Sequence, residues 1–231
     1  FWQMIGRGTR LCPDLFGPGQ HKQAFRIFDH WGSFAWHELE QPEAEPSVPK
    51  ALTQRRYESW IELARTALKR SELATFAAIT QLLKADADAL SDTTVSVRAN
   101  WQAVQQARDA KLLDQFAPTL VQVLQENVAP LMNSLDVRGQ GDALRWDLLV
   151  AKAQMQALLQ PGKPSPVAGE ILALLDRLPP NLSQVRAKAA DLKEIRSDAY
   201  WQTADFAALE AKRIALRDII QLAEPEVNPP A

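Results

Sequence analysis

A single cysteine, Cys12, excludes an internal disulfide and a zinc site built on a cysteine cluster. A reducing, cytoplasmic setting is therefore the default expectation. No apolar run approaches the roughly eighteen residues that span a bilayer, and the first residues have neither a basic n-region nor an apolar h-region. Nothing in the sequence directs the chain to a membrane. The net charge of −2 gives no global attraction to nucleic acid or to anionic lipid. Histidine is scarce too: His21, His30 and His37 show none of the close spacings of metal ligands, so a metal site with Asp29 is not expected. There is no Gly-x-x-x-x-Gly-Lys-Ser/Thr phosphate loop and no Asp-Glu-x-His box, which leaves the chain without half of an ATP site. Phe1-Trp2 opens inside what reads as a helix, with no initiator methionine, so a piece of a longer protein is expected.

At 231 residues there is enough chain for one large domain or two small ones. Five of the nine glycines precede Ser33, concentrating backbone freedom at the start. Residues 3–10 suit a short helix ending near Leu11-Cys-Pro13, because proline disfavours helical geometry in the residue before it. Gly17-Pro-Gly19 turns, Ala24-Phe-Arg-Ile-Phe28 reads as a strand, and Ser33-Phe-Ala-Trp36 as a second short one. Asp29, at the end of the first strand, suits a turn cap; a ligand-facing role is the alternative. Glu38 to Lys50, with four glutamates and three prolines, reads as an extended linker and marks a domain boundary.

Beyond Lys50 the periodicity is helical. Tyr57, Trp60, Ile61, Ala64, Ala67 and Leu68 form one apolar stripe, and Leu144, Leu148, Ala151, Met155 and Leu158 another. Further helices are expected over 72–90, after the possible caps Ser91-Asp-Thr-Thr94, over 114–132 with breaks at Pro118 and Pro130, and over 170–178, 182–195 and 206–223. Trp60, Trp101, Trp146 and Trp201 lie at helical spacing beside leucines and alanines, which places them in the core; stacking on single-stranded bases is the alternative. The basic pairs Arg55-Arg56, Lys69-Arg70 and Lys212-Arg213 read as solvated faces.

The opening residues carry the chemistry. Gln3-x-x-Gly6-Arg7-x-x-Arg10 sets two guanidiniums three apart, on one side of a helical turn. The guanidinium is planar, always charged, and matches phosphate oxygens with a fork of donors. Gly6 allows close backbone approach, and Gln3 can orient a water or bond a phosphate oxygen. The pattern resembles motif VI of superfamily 2 helicases. Residues 3–19, QMIGRGTRLCPDLFGPG, followed by Phe25-Arg-Ile-Phe-Asp29, resemble the end of the second helicase domain in the R (HsdR) subunit of type I restriction enzymes. Leu52-Thr-Gln-Arg-Arg56, Asp142-Ala-Leu-Arg-Trp-Asp-Leu-Leu149 and a segment through Leu209-Glu-Ala-Lys-Arg213 to Ile220 agree with it less specifically.

The resemblance implies a mainly α fold: residues 1–37 as the end of a RecA-like helicase domain 2, a short α/β remnant; 38–50 as the linker; and 51–231 as an all-helical bundle. It implies an ATP-dependent DNA translocase and restriction endonuclease, with Gln3, Gly6, Arg7 and Arg10 at the ATP site and Arg7 and Arg10 acting in catalysis. ATP and Mg²⁺ would be the parent protein's cofactors. Double-stranded DNA and the methyltransferase and specificity subunits would be its partners, and the helical part would serve assembly. The family's nuclease signature is not convincingly present, because Glu210-Ala-Lys212 and Asp205 share one helix. The alternatives are a non-catalytic helical interaction module and an accessory domain of another superfamily 2 helicase.

Overall fold

The computed structural model describes residues 12–15, 17–24 and 50–225. The chain divides into two compact units, Phe1–Val48 and Pro49–Ala231. Of the first unit the description covers one tight loop. Asp14 adopts a left-handed backbone (φ 56°), and its Oδ1 accepts the Gly19 amide at 2.7 Å. The Asp14 amide donates to His21 Nδ1 at 3.1 Å, and the Lys22 amide to the Cys12 carbonyl at 3.1 Å. Gly17 (φ 127°) and Gly19 (φ 78°) supply the positive φ values this reversal needs. The expected helix over 3–10, both strands and Asp29 lie outside the described residues.

The second unit is helical, and no strand occurs among the described residues. In chain order the helices are α1 (Leu52–Lys69), α2 (Leu73–Asp88), α3 (Val95–Ala99), α4 (Trp101–Arg108), α5 (Ala110–Gln115) and α6 (Pro118–Val123). A π-helical turn, Leu124–Val128, and a 3₁₀ segment, Ala129–Ser134, follow. Then come α7 (Gly141–Leu159), α8 (Ala168–Asp176), α9 (Ser183–Ala187), α10 (Ala189–Ile195), α11 (Asp198–Thr203) and α12 (Phe206–Ile220).

α7 is the spine. Its Ala151 and Leu158 belong to a core built from α1, α2 and the helices up to residue 132, including Tyr57, Ile61, Ile79, Leu83, Leu124 and Met132. Its Trp146, Leu149, Val150 and Ala153 belong to a second core with α8 and α10 to α12, including Ile171, Leu175, Ile195 and Leu216. A helix that is apolar on both faces must be covered on both, which is why α7 lies between two layers. Its expected stripe is in place, with Leu144, Leu148, Ala151 and Leu158 buried and Met155 packed at the edge.

Several expectations are corrected. On α1 the stripe includes Leu63, which is buried, and excludes Leu68, which is exposed. The segment 114–132 breaks at both prolines, as expected. Phe116 ends α5 with a left-handed backbone (φ 44°) and stacks edge-on against Phe76, centroids 5.4 Å apart. Pro118 starts α6, where its missing amide costs nothing. Pro130 then lacks the N–H that an α-helix would direct to the Glu126 carbonyl and crowds that carbonyl; the widened turn just before it relieves both. Thr94 precedes α3 without a side-chain cap; Ser91 and Thr93 hydrogen-bond each other instead, at 2.8 Å. Side-chain caps are made by Asp109 on α5, Ser197 on α11 and Asp205 on α12. Trp60, Trp146 and Trp201 are core residues, but Trp101 is 45 % exposed. The chain breaks at Asn100, between α3 and α4, so Val97 and Trp101 are on different helices and a spacing of four no longer puts them on one face. Among the described residues no helix is long and apolar enough to cross a membrane.

Candidate functional site

The sites expected at Gln3, Gly6, Arg7 and Arg10 lie outside the described residues. Within the helical unit, the most concentrated polar chemistry is a buried charge network centred on Asp147 of α7. That residue is 0 % exposed. Its Oδ1 accepts from Arg213 Nη1 of α12 at 2.9 Å, and its Oδ2 from Arg56 Nη1 of α1 at 3.1 Å and Arg217 Nε of α12 at 3.0 Å. Arg56 turns its other terminal nitrogen to both oxygens of Asp86 on α2, at 2.8 and 2.9 Å. Arg213 forks onto Glu210, at 2.9 and 2.7 Å, and Glu210 also accepts from Gln154 Nε2 at 2.9 Å. The Trp60 ring lies beneath two of the cations, its centroid 4.9 Å from Arg56 Cζ and 5.8 Å from Arg213 Cζ.

Three arginines thus meet three carboxylates, and the cluster is neutral. Arginine suits the place because its fork gives each acid more than one bond. The network borders a recess of about 500 Å³, whose wall includes Arg56, Trp60, Asp86, Gln140 and Arg217. Every guanidinium there is already committed to a carboxylate, so the cluster works as a clamp joining α1, α2, α7 and α12.

The reading of Arg56 and the Lys212-Arg213 pair as solvated is corrected, since all three are 7 % exposed. Periodicity sorts residues by type and carries no record of partners on distant helices. The signal was in Asp147 instead. It stands within Ala143–Ala151, where the helix is apolar nearly all round, and an acid placed there must be buried and paired. The three weaker segments of the resemblance, around Arg56, around Asp147 and around Arg213, converge at this clamp. Glu210 and Lys212 serve different partners: Lys212 Nζ bonds Asp191 and Glu194 of α10. Burial lowers the Lys212 pKa, but its hydrogen bonds to those two acids outweigh this and hold the ammonium above its ordinary value.

Burial pushes the Asp86 carboxyl above the ordinary carboxylate range; Asp147 adds to this, while Arg56 and Arg213 oppose it. Burial, helped by the Asp86 charge, likewise raises the neighbouring Tyr57 hydroxyl. A raised carboxyl means that the folded chain holds the Asp86 proton more tightly than the unfolded chain does. That contribution is fully present below the unfolded value and is lost as pH rises through the folded one. Asp86→Asn removes the titration. The stability of this variant relative to the parent is therefore expected to improve from acid to neutral pH, read as the difference between urea midpoints. A difference that stays flat or falls with rising pH contradicts the assignment.

Among the described residues, no group of three His, Cys, Asp or Glu is placed to hold a metal. No family model matches the chain, and neither the curated proteins nor the solved structures contain a match.

Proposed function

We propose that the chain is part of the motor subunit of a type I restriction system, an ATP-dependent DNA translocase. In this reading residues 1–37 supply Gln3, Gly6, Arg7 and Arg10 to an ATP site completed by a phosphate loop and Mg²⁺-binding acids elsewhere in the protein. The helical unit braces the motor and docks on the methyltransferase complex. The observation that carries the reading is the run from Gln3 to Gly19 with Phe25 to Asp29 after it. The helical unit supports it in a second way. Its densest cluster of charge is consumed in internal pairs between helices, as suits an architectural element.

The experiment is ATP hydrolysis, with and without duplex DNA, by this chain and by the product of its full reading frame. Turnover in the longer protein alone, stimulated by duplex DNA, supports the motor. Absence of turnover in both rejects it and leaves the second reading, a non-catalytic helical interaction module, which the internal pairing of the charges also favours. Co-elution with the methyltransferase complex tests the docking role separately.

A further inference from the structure

Among the described residues Trp101 is the aromatic side chain that the core does not absorb. It stands at the start of α4 on the wall of a recess of about 540 Å³, together with Arg98, Asn100, Gln102, Gln106 and Asn127. Apart from an Asn100 Nδ2 bond to the Ser96 carbonyl at 3.0 Å, none of these side chains has a hydrogen-bond or ion-pair partner among the described residues. An indole face, several amides and one uncommitted guanidinium therefore share a concave surface. Asn127 reaches the same wall from the π-helical turn Leu124–Val128.

We propose that this recess binds one unstacked nucleobase with its phosphate. The parts match the chemistry of that ligand. Indole stacks on any base, because every base has a π-face. Asparagine and glutamine amides offer a donor and an acceptor side by side, the pattern that pairs with a base edge. Arg98 provides the charge for a phosphate oxygen. A neutral sugar would use the indole and the amides but would leave Arg98 without a role. Among the described residues Arg98 is the one cation on this wall, which limits the site to about one phosphate. The proposal does not depend on the translocase reading.

The test uses the 231-residue chain and a fluorescently labelled single strand of about twelve nucleotides, within the span of known single-strand sites. Anisotropy at low salt is expected to report binding that Trp101→Ala weakens by about tenfold or more, while Trp101→Phe keeps most of it. Arg98→Ala is expected to lower affinity and to reduce the slope of log affinity against log salt by about 0.7. Both side chains are exposed, so circular dichroism and thermal midpoint are expected to stay at parent values. Displacement of the strand by adenosine monophosphate assigns the site to free nucleotides. Displacement by unlabelled strand alone assigns it to nucleic acid, and either result sustains the proposal. Equal affinity of Trp101→Ala and the parent overturns it, as does displacement by maltose but not by nucleotide.

Discussion

Asp147→Ala is expected to cost the helical unit about 3–5 kcal/mol, the range found when one partner of a buried ion pair is removed. The loss comes less from the missing bonds than from what stays behind. Arg56 and Arg213 are 7 % exposed and cannot rotate into water without unpacking Trp60. Each keeps one other carboxylate, Asp86 or Glu210, whereas Arg217 keeps only a long contact of 3.5 Å to Gln140 Oε1. For a unit of this size the cost corresponds to a fall in melting temperature of roughly 10 °C, which thermal unfolding reads directly. Asp147→Asn retains an acceptor but removes the charge, and is expected to fall between the two. Should Asp147→Ala melt with the parent, the clamp is not a stabilising element.

The other large effect concerns turnover. In a protein that carries both halves of the ATP site, Arg7→Ala and Arg10→Ala are each expected to remove most ATP hydrolysis and leave ATP binding largely intact. Charge builds on the phosphoryl group as it transfers, and an arginine aimed at that charge is worth about three to five orders of magnitude in rate. The ground state has less of that charge, so binding depends on it less. Single-turnover hydrolysis beside equilibrium nucleotide binding separates the two quantities. Near-normal turnover in both variants rejects the motor assignment.

Much of the helical unit was legible in the sequence, because its helices announce themselves through packing. The stripe from Leu144 to Leu158 and the helices of Tyr57, Ile79 and Leu216 follow from where apolar residues recur. Backbone chemistry was legible in part. Pro118 and Pro130 mark breaks, but neither foretells that Phe116, a bulky residue, takes a left-handed conformation; its contact with Phe76 accompanies that conformation. The clamp was harder to see. Arg56, Asp86, Asp147 and Arg213 are up to 157 residues apart in the chain, and only the fold brings them together. Trp101 misled for a local reason, the break at Asn100, which changes the register between two short helices.

The placement of α7 has a consequence for how the unit comes apart. A helix whose two faces belong to different cores cannot be released by opening either core alone, and the Asp147 clamp fastens the same helix to both sides. Neither half is expected to have a subglobal opening that frees the α7 amides. Hydrogen exchange along α7 should therefore be as slow as the slowest in the unit, and the two halves should melt in one transition.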